Sequence, residues 1–140
     1  MRVLLVSPDA NARDLMRISV GSIERRLGEP VSFLGADDGE QGARIGLRER
    51  PDAVVADEFA SRAGAFSLAR DLRGAPDPYR GPIVILLERK HDAWLARWSG
   101  ADAWFVRPVD PFGLADRLVE LIGSRRNPPE EHPEEHKETA

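Results

Sequence analysis

Asp57 stands directly after the apolar run of residues 53–56, and Arg107 directly after the run of residues 103–106. Ser7, Pro8 and Asp9 follow a third run, residues 3–6, while Leu87 and Glu88 end a fourth that begins at Ile83. A carboxylate in such a place has two uses. It can meet an anionic ligand, which requires a cation between the two negative charges, or it can pair with a guanidinium across the pocket and stay inert. Magnesium is usually held by few carboxylates plus water, so each lost ligand matters. After the first run only Asp9 offers a carboxylate, since Ser7 is neutral and Pro8 has no side-chain donor. His132 and His136 lie four residues apart, but Pro133 between them argues against a preformed helical metal site. The chain has no cysteine, which excludes a thiolate zinc site, a disulfide framework and a Cys nucleophile. Neither glycine-rich phosphate loop is present, and residues 7–12 hold a single hydroxyl.

Five strand and helix pairs must position these residues. Strands are expected at residues 3–6, 31–34, 53–56, 83–87 and 103–106, several of them continuous apolar runs of the kind buried on both faces of a parallel sheet. The first helix carries Leu15, Ile18, Ser19, Ser22, Ile23 and Leu27 as a broad stripe and is ended by Gly28 and Pro30. The second starts near Asp38-Gly39 and stops before Pro51, the third covers residues 63–73, and a short fourth covers residues 91–99. The fifth follows Asp110 as N-cap and Pro111 as first helical residue, with Phe112, Leu114, Ala115, Leu118, Leu121 and Ile122 as its apolar stripe. Right-handed crossovers then give a parallel sheet with helices on both faces. In such open sheets the chemistry gathers at the carboxyl ends of the strands.

A chain of 140 residues that is 41% hydrophobic and 31% charged folds as one domain and is not a disordered chain. Its apolar runs are too short to cross a bilayer or to serve as a signal-peptide core, so a cytoplasmic address and no membrane partner are expected. The net charge of −4 and pI near 5.4 argue against nucleic acid as a partner. Residues 1–122 form the expected domain. Residues 123–140, with Arg125, Arg126 and Lys137 against five glutamates, form an acidic C-terminal tail that is expected to be disordered.

Ordered landmarks carry a resemblance. Arg2-Val3-Leu4-Leu5-Val6, Ala36-Asp37-Asp38-Gly39-Glu40-Gln41 and Pro51-Asp52-Ala53-Val54-Val55-Ala56-Asp57 are followed by Pro82-Ile83-Val84-Ile85-Leu86, Gly100-Ala101-Asp102-Ala103-Trp104 and Arg107-Pro108-Val109-Asp110. Over residues 2–122 the chain resembles the CheY-like receiver domain of bacterial two-component response regulators. The resemblance implies an α/β, flavodoxin-like, doubly wound five-stranded parallel sheet of order 2-1-3-4-5 with helices on both faces. It makes Asp57 the phosphoacceptor candidate, charged by a histidine kinase. The family's two acidic positions after the first strand are here Ser7 and Pro8, so Mg2+ is disfavoured, and Asp57 and Asp9 are the remaining metal-ligand candidates. Leu87 stands where a Thr or Ser would bond the phosphoryl oxygen, and Arg107 where a lysine would pair with it. Pro108 occupies a position that commonly follows a cis peptide. The Met-Pro and Asp-Gly landmarks after the phosphoacceptor read Ala60-Ser61 and Gly64-Ala65.

The altered pocket of Ser7, Pro8, Asp9, Leu87 and Arg107 points to a stand-alone signalling module, a pseudo-receiver that acts by protein contact with little or no phosphorylation of Asp57. It is not expected to be an enzyme. The alternatives are a working phosphoacceptor fed by a histidine kinase and, from another class, a small flavodoxin-like enzyme or nucleotide binder. Ser7-Pro8-Asp9 also has a structural reading as a helix start, with Ser7 as cap, Pro8 at the first position and Asp9 facing the positive helix end. Trp94 and Trp98, one helical turn apart, and Trp104, where receivers carry an aromatic switch residue, form the expected interaction face. The fourth helix, fifth strand and fifth helix would there meet a protein partner or a second copy. The opposing reading makes the tryptophans edge-of-core packing.

Overall fold

Continuous apolar runs form the middle of the sheet because each must be buried on two faces. The computed structural model describes residues 1–58 and 64–126. Its strands are β1 (Arg2–Val6), β2 (Ser32–Ala36), β3 (Ala53–Asp57), β4 (Ile83–Leu87) and β5 (Ala103–Val106), all parallel in the order β2-β1-β3-β4-β5. Every residue of β3 and β4 is buried. The helices are α1 (Ala10–Gly21), α2 (Ile23–Leu27), α3 (Gly39–Glu49), α4 (Ala65–Gly74), α5 (Ala93–Ser99) and α6 (Pro111–Arg126).

Strand residues alternate between two cores, as the period of two requires. Leu4, Val54, Ile83, Ile85 and Leu87 pack with Leu68 and Leu72 of α4 and Ala96 of α5. Leu5, Val55, Val84 and Leu86 pack with Met16 and Val20 of α1 and Leu114 and Leu118 of α6. Helix α3 lies close to α4 through Gly46, where a Cβ would come within 2.8 Å of the Leu72 side chain. The end of the sheet away from Asp57 is tied by Arg73. Its guanidinium donates to the carbonyls of Tyr79, Gly81 and Gly100 at 2.7, 2.9 and 3.1 Å and lies 2.8 Å from Asp102 Oδ2, which also accepts the Ile83 N–H.

Several expected boundaries move. The first helix is two helices, broken at Ser22, and its core face is Met16, Val20 and Ile23 rather than the broad stripe. Leu15 and Ile18 of that stripe point to solvent, Ile18 with 74% of its surface exposed. A six-residue stripe covers more of the helix than one sheet face can bury, and Met16, Val20 and Ile23 are the residues that pack in the core with Val3 and Leu5 of β1. Phe112 is likewise exposed, two residues ahead of buried Leu114 and three ahead of buried Ala115. The second strand lies one to two residues later than expected, because pairing with β1 sets Leu34 opposite Leu4 and Ala36 opposite Val6. The fourth helix opens as a 3-10 turn, Lys90–Asp92. Helix α6 begins as read, with Asp110 Oδ1 accepting the Phe112 N–H at 3.0 Å, and runs on to Arg126, past the boundary expected at residue 122. The rest of the tail, with His132 and His136, and the Ala60-Ser61 landmark lie outside the described residues.

Candidate functional site

The carboxyl ends of β1, β3, β4 and β5 meet in a cleft of about 570 Å3. Asp57, Asp9, Glu88 and Arg107 line it together with apolar side chains of α1 and α6, among them Met16 and Leu114. Burying a charge is costly unless it is paired and hydrogen-bonded. Asp57 keeps only 2% of its side chain exposed, and its partner is Arg107, whose Nη2 donates to Oδ1 at 2.5 Å. Arg107 Nη1 lies 3.7 Å from Glu88 Oε1, so one guanidinium faces two carboxylates from neighbouring strands. The Arg107 backbone is fixed to the end of β4, where its N–H donates to the Leu87 carbonyl at 2.8 Å; the Arg107–Pro108 peptide is cis.

The β1–α1 turn differs in detail from the expected helix start. Asp9, not Ser7, is the N-cap of α1, and its Oδ1 accepts the Asn11 N–H at 2.9 Å. Ser7 is fully buried, and its Oγ accepts the Asp9 N–H at 3.2 Å. Pro8 is exposed ahead of the cap rather than at the first helical position. The cap moves because Ser7 still belongs to the sheet edge: its N–H donates to the Ala36 carbonyl at 3.0 Å. Arg13 of α1 braces the turn, donating to the Ser7 carbonyl at 2.5 Å and to Asp37 Oδ1 at 2.7 Å. Leu87 is buried on the α4 and α5 side of the sheet.

Sequence reasoning missed Glu58 and Arg13. Glu58 Oε2 accepts the N–H groups of Ala65 and Phe66 at 2.6 and 3.3 Å and so caps α4 from seven residues away. Gly64 makes room for it, since a Cβ there would come within 2.6 Å of the carboxylate. Burial pushes the Glu58 carboxyl above its ordinary value, against the pull of the two N–H groups. The acidic residue after Asp57 was the available signal for this cap, but nothing local to it names a helix start at Ala65.

The three tryptophans do not form one ridge. Trp94 and Trp98 stand out from α5 with 65% and 59% of their surface exposed, which removes them from the core. Trp104, opposite Ile85 in the sheet, packs against the core, with the Arg97 guanidinium 5.7 Å from its ring centre. Trp98 is joined from the α4 side, where Arg70 stacks 3.9 Å from its ring.

No protein-family model matches the chain. It is 27% identical over 124 residues to an uncharacterized response regulatory protein of Mycobacterium tuberculosis (strain ATCC 25618 / H37Rv), covering 87% of this chain and 91% of that protein. It is 31% identical over 127 residues to the response regulator MprA of Mycobacterium leprae, covering 86% of this chain and 49% of the relative, so it spans about half of MprA. Among solved structures, the receiver domain of the sensor histidine kinase PA1611 from Pseudomonas aeruginosa PAO1 matches with a TM-score of 0.70 and 25% identity, over 88% of this chain and 98% of that one. The receiver domain of the Francisella response regulator 1452 shares the fold with a TM-score of 0.73 at 19% identity, over 89% and 98%. The sheet order, the acid and the cation at its carboxyl edge and these relatives make the chain a CheY-like receiver domain of the response-regulator class. It is a signalling module, and receiver domains of this class work through contact with proteins such as kinases. Among the described residues, no helix is long and apolar enough to cross a membrane.

Proposed function

We propose that this receiver domain signals through protein contact in a state that does not depend on phosphorylation of Asp57. The observation that carries this reading is the ion pair: Arg107 Nη2 lies 2.5 Å from Asp57 Oδ1, so a guanidinium occupies the side of the carboxylate where a phosphoacceptor needs a divalent cation. The donor set does not fit a magnesium ion. Ser7 has turned its Oγ to the Asp9 N–H, Pro8 has no donor, and one oxygen of Asp9 is spent as a helix cap. Arg107 then supplies the positive charge from within the chain. The contact face in this reading is α5 with Trp94 and Trp98 outward, offered to a protein partner or to a second copy.

A second reading, a phosphoacceptor served by a histidine kinase, draws support from the position of Asp57 at the foot of an open cleft. Tryptophan fluorescence during titration with magnesium and then beryllofluoride, an acyl-phosphate mimic, separates the two. Phosphate-tag electrophoresis after acetyl phosphate treatment checks for covalent labelling. The expected result is no saturable change and no shifted band. A saturable change that disappears in Asp57→Asn would overturn the proposal and put the relay first.

A further inference from the structure

The cleft above Asp57 is polar at one end and apolar along its length. Leu15 and Met16 of α1 line it on one side, and Val109 and Leu114 on the side of α6. Leu15 lines it with 66% of its surface exposed, so a molecule seated there would cover it. The cleft measures about 570 Å3, and sites for small organic molecules commonly hold about 300–1,000 Å3.

The charge at the polar end has a definite sign. Asp9, Asp57 and Glu88 line the cleft against Arg107 alone, three carboxylates to one guanidinium. Asp57 keeps only 2% of its side chain exposed, and its Oδ1 takes the Arg107 bond. Its Oδ2 accepts no hydrogen bond among the described residues. No side-chain oxygen or nitrogen among those residues is both buried and without a partner, so Oδ2 opens to the cleft that Asp57 lines. Glu88 also accepts no hydrogen bond there, its nearest cation being Arg107 Nη1 at 3.7 Å. Asp9 spends Oδ1 on the Asn11 N–H and keeps Oδ2.

From the free oxygen of a buried carboxylate at one end and the apolar walls beside it, we infer that the cleft binds a small organic monocation. The ligand is a primary ammonium carried on an apolar chain or ring. Its ammonium meets Asp57 and Glu88, and its apolar body lies between α1 and the residues that open α6. An ammonium has three donors and no acceptor, which suits a site whose unused groups are carboxylate oxygens. A hydrated magnesium ion would use those oxygens but gain nothing from Leu15, Met16, Val109 and Leu114. The inference rests on the reading that Arg107, not a metal, neutralises Asp57, and it deepens that reading: a receiver released from phosphorylation takes its signal as a bound molecule.

Phenethylamine, protonated at neutral pH, is the probe. It is titrated into the isotope-labelled full chain with a chelator present, and the amides are followed by NMR. Those of Leu15, Met16, Val109 and Leu114 should shift together and saturate, at roughly millimolar amine for so small a ligand. Phenethyl alcohol keeps the body without the charge, and methylamine the charge without the body; each should bind about tenfold more weakly or worse. Asp57→Asn should weaken the amine by about tenfold. Glu88→Gln, at a half-exposed position where folding is not at stake, should weaken it in the same direction. Equal affinity for amine and alcohol, unchanged affinity in Glu88→Gln, or shifts confined to Trp94 and Trp98 would each overturn the inference. Magnesium that saturates the same amides without the amine, and fails to in Asp57→Asn, would overturn the underlying reading of the pocket and the inference with it. Silence towards both amine and magnesium overturns the inference alone.

Discussion

Arg107 reaches from the end of β5 to the end of β3 and places Nη2 2.5 Å from Asp57 Oδ1, while its Nη1 stands 3.7 Å from Glu88. The pair is uneven, with Asp57 at 2% side-chain exposure and Arg107 at 28%. Losing the exposed partner strands a buried charge, whereas losing the buried one frees a guanidinium that water can reach.

The asymmetry is measurable. Arg107→Ala should cost about 3 kcal/mol, the low end of the range for an orphaned buried charge. Asp57→Asn should cost less, and Arg107→Ala added to Asp57→Asn should cost little more. Urea unfolding of the four proteins in a double-mutant cycle gives the coupling, expected at roughly 1–3 kcal/mol for contacting residues. Additive losses would mean that the pair does not hold the pocket.

Glu58 makes stability depend on pH with a definite sign. Its folded carboxyl titrates above the ordinary value of 4.5 because burial penalises the charge. A raised carboxyl favours folding while it is protonated, so this contribution is full below pH 4.5 and declines as pH rises through the folded value. Glu58→Gln keeps an acceptor for the Ala65 N–H without the titration. The variant should therefore gain on the wild type as pH rises from 4 towards 7, as read by urea unfolding at each pH. Parallel stability curves would refute the assignment. Glu58→Ala, which removes the cap, should cost about 1 kcal/mol.

Acidic ligands put back into the pocket should create a metal response. With Ser7→Asp, Pro8→Asp and Arg107→Lys together, the β1–α1 turn offers two carboxylates beside Asp57, and the forked guanidinium is gone. Isothermal titration should then detect saturable magnesium binding, with none in the wild type. Equal binding by both proteins would show that the native residues already hold the ion.

Much of this was readable in the sequence where burial is two-sided. Residues 53–57 and 83–87 are apolar almost throughout, so their place in the middle of the sheet, and Asp57 at its edge, follow from composition alone. In the first helix Leu15 and Ile18 are as apolar as Ile23, and only the packing surface of the sheet decides that Met16, Val20 and Ile23 face inward while Leu15 and Ile18 do not. Glu58 and Arg13 were illegible for a different reason. Each bonds across a turn, Glu58 to Ala65 and Phe66 and Arg13 to Ser7 and Asp37, and short-range pattern carries no trace of such contacts. Trp104 stands at the expected strand position, but it packs against the core from β5 while Trp94 and Trp98 face solvent from α5, a separation that helical spacing alone does not reveal.

Arg73 binds three carbonyls from two separate stretches of chain and a carboxylate that also caps the entry to β4. Helix α4, strand β4 and the turn from α5 into β5 are therefore riveted together at one end and cannot open one at a time. In hydrogen exchange they should behave as a single cooperative block, with the Ile83 amide released only when the whole block opens. Arg73 thus rivets the β4 and β5 side of the sheet at the end opposite the Asp57 cleft.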